Sequence, residues 1–178
     1  MCGCYYYVFD KKLCSYLEEI ESSITFQDIA QKEVFPGMNA LVLMKEDTII
    51  PSIRHWGFDG YNQKKIINAR SETYMEKPLF SGLKRCVIVC NGFFEWKKTK
   101  RRVDRIYIQK RNNELIYLAG LCDDSHFVIV TGASYSHMKK VHSRTPLIMN
   151  EKEMEHYLKG DFFPKVDNED LVFSLRNS

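Results

Sequence analysis

At 178 residues, 44% of them hydrophobic and 28% charged, the chain is sized for one globular domain, residues 1–178, with enough apolar material for a core. Its net charge of +3 is mildly basic, which permits a nucleic-acid partner without arguing for one. No run of about 18 apolar residues and no basic-then-apolar leader is present, so the expectation is a cytoplasmic protein that makes no use of a membrane.

In chain order, residues 5–9 (YYYVF) read as a first strand, and LCSYLEEIES at 13–22 places Leu13, Leu17 and Ile20 on one face of a short helix. After Pro36-Gly37 come two β-rich runs, NALVLM and TIIPSIRHW, separated by the polar turn KED. SETYMEKPLFSGLKRC reads as helical turns interrupted at Pro78. Four further strands are predicted at VIVCNGFFEW, RIYIQK, LIYLAGL and FVIVTGA, with KKTKRRVD and NNE joining the first three as hairpins. EKEMEHYLKG is helical and LVFSL extended. Many strands, few helices and no regular βαβ alternation predict an α+β domain on a mostly antiparallel, barrel-like sheet with flanking short helices.

Six cysteines (Cys2, Cys4, Cys14, Cys86, Cys90 and Cys122) are expected to be reduced in the cytoplasm. None forms a CxxC pair, so neither a metal nor any other cofactor is predicted. In CVIVC the two-residue alternation puts Cys86 and Cys90 on one buried face of a strand.

Cys2 is different. Removal of the preceding methionine would leave it with a free α-amine beside its thiol. An α-amine has a pKa of about 7.7 to 8.0 against about 10.4 for lysine, so near neutrality a sizeable minority is already nucleophilic. An amine and an aldehyde give a Schiff base, and the thiol can then close on the imine carbon to form a five-membered thiazolidine. Gly3 suits close approach of another backbone, or a plain turn.

Three other clusters place polar residues in or beside apolar strands. In IINARSET, Asn68 and Arg70 follow two isoleucines, and the plain reading is a strand end passing into a helix cap at Ser71. In CNGFFEW, Glu95 sits within an aromatic strand, where a carboxylate must be paired with an arginine or carry a raised pKa suited to a general acid or base. In VHSRTPLIM, His142 and Arg144 share a face if the segment is extended, joining a proton relay to a fork for phosphate.

Taken together and in order, Cys2-Gly3, WGF at 56–58, NARSET at 68–73, GFFEW at 92–96, AGL at 119–121, TGAS at 131–134 and HSRTP at 142–146 resemble the SOS response-associated peptidase (SRAP) family. Its members act as abasic-site processing proteins. The resemblance implies a partner, single-stranded DNA with an abasic site, captured as a thiazolidine by Cys2. It also implies autocatalytic removal of Met1 and recruitment to the nucleoid during DNA damage. Carried over, Asn68 positions the amino group, Glu95 is the acid/base carboxylate, and His142 assists sugar-ring opening. Arg70 and Arg144 hold phosphates, while Trp56 and Pro36 shape the DNA surface. Because aromatic rings stack where a base is missing and Lys/Arg contact phosphates, Trp96, Lys97 and Lys98 join the DNA-binding set. A monomer is expected.

The chain departs from the family pattern in three places. Cys4 stands where the family carries a DNA-contacting arginine, Thr145 replaces a methionine and Cys122 a tryptophan, the last two read as packing changes. Rival readings are a class II glutamine amidotransferase, an N-terminal-cysteine peptidase or amidohydrolase acting on other substrates, and a non-catalytic single-stranded DNA binder that would need the arginines but not Cys2, Glu95 or His142.

Overall fold

Short β-branched and aromatic runs broken by turn residues give strand after strand. The computed structural model describes residues 2–8, 15, 32–60, 64–166 and 169–176. Within them the strands are β1 (Tyr5–Tyr7), β2 (Lys32–Val34), β3 (Asn39–Lys45), β4 (Ile49–Trp56), β5 (Phe58–Asp59), β6 (Lys65–Ile66), β7 (Asn68–Arg70) and β8 (Lys84–Cys90). They continue as β9 (Gly92–Lys98), β10 (Val103–Lys110), β11 (Ile116–Cys122), β12 (His126–Ala133), β13 (Arg144–Pro146), β14 (Ile148–Met149) and β15 (Leu171–Leu175). Phe9 and, apart from Ser15, the helix predicted at 13–22 lie outside the described residues.

A five-stranded sheet runs β15-β10-β9-β1-β2, antiparallel throughout. The second sheet runs β13-β12-β4-β3-β8-β11-β14, with β7 beside β12. A further β11–β12 pairing turns β12-β4-β3-β8-β11 back on itself. Because β12 meets β4 only at His126–His55 and Phe127–Trp56, in parallel, the ring is not a closed barrel. The architecture is α+β and mostly antiparallel, as the pattern predicts.

Two connections differ from expectation. VIVCNGFFEW is not one strand. It breaks at Asn91, so β8 serves the second sheet and β9 the first. Gly92 makes the corner possible, since a Cβ there would sit 2.6 Å from the Ile108 carbonyl oxygen and the Tyr107 ring. Likewise NNE does not close a hairpin, because β10 pairs with β9 and β15 while β11 pairs with β8, β12 and β14. Alternation fixes which residues share a face but not which sheet they join.

Elsewhere local chemistry decides. Pro36-Gly37 forms a tight turn closed by Met38 N–H to the Phe35 carbonyl at 3.1 Å, with Gly37 at φ +92, the backbone a type II turn asks of its third residue. SETYMEKPLF gives two 3-10 turns, Tyr74–Glu76 and Pro78–Phe80, parted before Pro78. The cap falls at Thr73 rather than Ser71 and makes no side-chain bond. Helix Glu151–Lys159 opens on a capping box between Asn150 and Glu153, ends at Gly160 (φ +93) and buries Met154, Tyr157 and Leu158. No helix among the described residues is long and apolar enough to cross a membrane.

The main core lies between the sheets. Tyr5, Tyr7, Phe93 and Ile108 point inward from the five-stranded sheet, while Cys4, Phe94 and Tyr107 form a separate cluster on its outer face with Tyr6, Phe35 and Trp96. Trp56 is at the centre of the inner cluster, 0% exposed, stacked on Phe127 at 6.0 Å and tilted against Tyr5 at 5.2 Å. Its indole N–H donates to the Ile67 carbonyl at 3.1 Å. Burying an indole removes about 200 Å² from water, about 5 kcal/mol at 25 cal/mol per Å². Trp56 is thus a core residue with no exposed surface of its own for DNA to touch.

Candidate active site

The first residues of the chain are held from both sides. Phe94 N–H donates to the Cys4 carbonyl at 2.8 Å, which extends the β1–β9 ladder toward the terminus. On the other side Asn68, the first residue of β7, donates its Nδ2 to the Cys2 carbonyl at 3.0 Å. Asn68 Oδ1 is buried with no hydrogen-bond partner among the described residues. β7 is fixed against β12 through Ile129–Asn68 and Thr131–Arg70 pairs, so Asn68 reaches Cys2 from a rigid strand.

Cys2 is 0% exposed, its sulfur closed off from solvent. Its Sγ lies 3.7 Å from the Cys4 carbonyl. Burial, then the negative charge of Glu95, pushes the thiol well above its ordinary pKa, so it is held as S–H. Glu95 faces inward from β9 and is 1% exposed. Burial raises its carboxyl to about 7, opposed by the positive charge of the chain's amino terminus and by the Trp96 N–H. A carboxyl that titrates at neutrality beside a protonated thiol can take that proton and return it.

His142 is half-buried and lies in a turn ahead of β13, so it does not alternate with Arg144 along a strand as predicted. Its Nδ1 lies 3.0 Å from the Arg144 N–H and 3.2 Å from the Arg144 carbonyl, so it accepts from the first in one tautomer and donates to the second in the other. Burial, then the positive amino terminus, lowers its pKa. Asn68 is therefore joined to Cys2 by a hydrogen bond and Glu95 to Cys2 by its charge, and His142 shares with Glu95 the field of the amino terminus.

Of the predicted DNA contacts, Arg70 is exposed at the end of β7. Arg144 is engaged, its two terminal nitrogens on the Glu72 carboxylate at 3.1 and 2.8 Å and its Nε on Thr131 Oγ1 at 3.2 Å. That bidentate pair draws the Glu72 carboxyl down to about 2. Glu72 and Thr131 were not singled out in the sequence, although both belong to the quoted motifs, NARSET and TGAS. Pro36 is half-buried in its turn; Trp96 and Lys97 are half-buried, and Lys98 is exposed toward the β9–β10 hairpin tip.

The departures also find places. Cys4 is buried on the outer face, its pKa pushed to about 11 by burial and Glu33. Arg105 brings an Nη2 to 3.6 Å from its sulfur, so a guanidinium stands beside the residue that lacks one. Thr145 is fully buried and its hydroxyl has no partner among the described residues, so the change is more than packing. Cys122 is buried beside Cys86.

The fold is a mixed-sheet α+β one that holds Cys2 between the Asn68 amide and the near-neutral Glu95 carboxyl. The family model for SOS response associated peptidase (SRAP) matches residues 1–176, and the chain belongs to that family. It is similar to abasic site processing protein YedK of Escherichia coli, 26% identical over 85% of this chain and 76% of that one. It is also similar to YoaM of Bacillus subtilis, 31% identical over 80% and 70%. In fold it matches a solved Bordetella bronchiseptica structure with TM-score 0.81 over 99% of this chain and 100% of that one at 15% identity, and one from Bacteroides thetaiotaomicron with TM-score 0.74, 99% and 92%, at 18%.

Proposed function

We propose that the protein processes abasic sites in single-stranded DNA by forming a covalent crosslink through Cys2, as a monomer. The observation that carries this is the convergence of Asn68 and Glu95 on Cys2 in a chain of a family whose curated relatives are named abasic site processing proteins.

The chemistry starts with cleavage of the Met1–Cys2 peptide bond, which releases the α-amine. Autocatalytic cleavage would use the same thiol and the same carboxyl. The amine nitrogen then adds to the aldehyde carbon of the ring-opened sugar, and the carbinolamine loses one water to give an imine. Cys2 Sγ adds to the imine carbon while its proton passes, through Glu95, to the nitrogen. One C–N and one C–S bond form and the C=O bond is lost. His142 can donate a proton to the ring oxygen as the sugar opens. Asn68 holds the Cys2 carbonyl so that amine and thiol leave in a fixed direction. Arg70 and the basic β9–β10 hairpin supply sequence-independent phosphate contacts. Arg144 joins them by exchanging Glu72 for a phosphate.

The burial of Cys2 supports processing before capture. A thiol probe such as a maleimide should label Cys2 slowly in a Met1-retaining chain and fast after removal. The decisive assay incubates processed protein with a single-stranded oligonucleotide carrying one abasic site and resolves the product on a denaturing gel. Wild type should give a heat-stable slower band and Cys2→Ala none. Equal yields would end this reading in favour of non-covalent binding. Cleavage of unrelated peptides without DNA capture would favour the peptidase reading.

A further inference from the structure

His55 on β4 and His126 on β12 are partners in the short parallel ladder between those strands, and no step above uses them. We propose that this pair is a binding site for a divalent transition cation of the zinc class, which clamps the seam between β4 and β12.

Register brings the two ligands together. Residues paired across a ladder put their side chains on the same face, and the two imidazole centroids lie 5.6 Å apart. Two imidazoles on one tetrahedral ion, each nitrogen about 2.0 to 2.1 Å from the metal, have centroids about 5 Å apart. Closing that gap takes a small turn of two rings that are only half-buried and so reachable from solvent.

The surroundings prepare both rings. His55 Nδ1 lies 3.3 Å from Asn39 Oδ1, and His126 Nδ1 lies 3.6 Å from the Asp123 carboxylate. That carboxylate is itself fixed by the Ser125 N–H at 2.8 Å and the His126 N–H at 2.6 Å. Both acceptors draw the imidazole proton to Nδ1 and leave the Nε2 lone pair for a metal, the outer-shell arrangement of ligating histidines. Burial, then the charges of Lys65 and His126, lower the His55 pKa, so its ring is mostly neutral near pH 7. Phe58 packs tilted against the His126 ring at 5.4 Å and walls one side.

A third ligand is close by. Asp59, exposed on β5, is paired with Lys65 at 2.9 Å, and its carboxyl is lowered first by that hydrogen bond and further by the field of both imidazoles. Among the described residues no three His, Cys, Asp or Glu side chains already stand as a ligand set, so Asp59 joins by leaving Lys65, and water completes the shell. Imidazole with carboxylate suits zinc and its neighbours. Asp59 and Asp123 against Lys65 leave one net negative charge beside the rings, which favours a cation.

The seam is where such an ion has leverage. Apart from Phe127–Trp56 this is the only residue pair joining β12 to β4, closed by the His55 N–H on the Ser125 carbonyl and the Gly57 N–H on the Phe127 carbonyl, both at 2.8 Å. An ion that bridges the rings binds the folded arrangement alone and stabilises it by mass action.

The experiment titrates the metal-free, untagged chain with zinc at about pH 7.5, above the imidazole pKa, by calorimetry. One saturable site is expected, and His55→Ala and His126→Ala should each weaken it by at least the about 10- to 100-fold that loss of an outer-shell partner brings. At zinc about 100 times Kd the wild-type thermal midpoint should rise by about 5 to 10 °C, and that of the double variant should not move. In the wild type, which needs no variant to fold, zinc should shift the ring resonances of His55 and His126 and leave those of His137, His142 and His156 in place. Zinc that shifts neither ring, or an affinity unchanged in both variants, overturns the site.

Discussion

Cys2 and Cys4 are two residues apart, both are buried, and they sit on opposite faces of one sheet. Inward, Cys2 meets a carboxyl that titrates near 7 and an amide that grips its carbonyl. Outward, Cys4 meets a guanidinium already committed to Glu33 and to a ring face. Both thiols are held protonated by burial, so neither is reactive on its own account. What separates them is the proton acceptor: Glu95 titrates near 7 on the inner side, whereas the outer carboxylate, Glu33, is paired with Arg105.

The largest effect should follow from removing that acceptor. Glu95→Gln keeps the shape and loses the proton transfer, and the single-turnover crosslinking rate should fall by about 10²- to 10⁴-fold with DNA affinity intact. An unchanged rate would reduce Glu95 to a structural role.

Glu95 also sets a pH dependence. It holds its proton more tightly folded, at about 7, than unfolded, at its ordinary 4.5. Its folded form therefore suffers no penalty below about pH 4.5, and stability falls as pH rises through 7. The full difference is about 3 kcal/mol at 1.36 kcal/mol per pH unit. Denaturant unfolding should show Glu95→Gln gaining stability relative to wild type at pH 8 and gaining none at pH 4. A constant difference at both would contradict the buried, near-neutral carboxyl.

Asn68→Ala removes one hydrogen bond to the Cys2 carbonyl, and a net bond contributes about 0.5 to 1.5 kcal/mol, so crosslinking should slow about 3- to 10-fold. Cys4→Ala, on the outer face, should leave the rate within about twofold of wild type. A large loss in that variant would erase the distinction between the faces.

Much of this site was legible in the sequence because its chemistry is local in type. A carboxylate inside GFFEW must be buried or paired whatever the fold, and the structure makes it buried. The helix at Glu151–Lys159 and the break before Pro78 were readable from caps and proline. What could not be read was sheet membership. Asn91 turns one apparent strand into two, and nothing in period-two alternation says that β10 and β11 part company. Partner choice was equally hidden. His142 and Arg144 were read as a pair on one face, yet Arg144 folds back on Glu72, more than seventy positions earlier in the chain. Trp56 was placed in the DNA-binding set by the family resemblance alone, and only its packing on Phe127 and Tyr5 shows that it lies in the core.

The most direct test is the mass of the crosslinked terminal peptide after digestion of the protein and the DNA. The account predicts a peptide that begins at Cys2, lacks Met1 and carries the sugar with one water lost, its sulfur no longer alkylated by a thiol reagent. A sugar found on a lysine, or on a peptide that still begins with Met1, would contradict it.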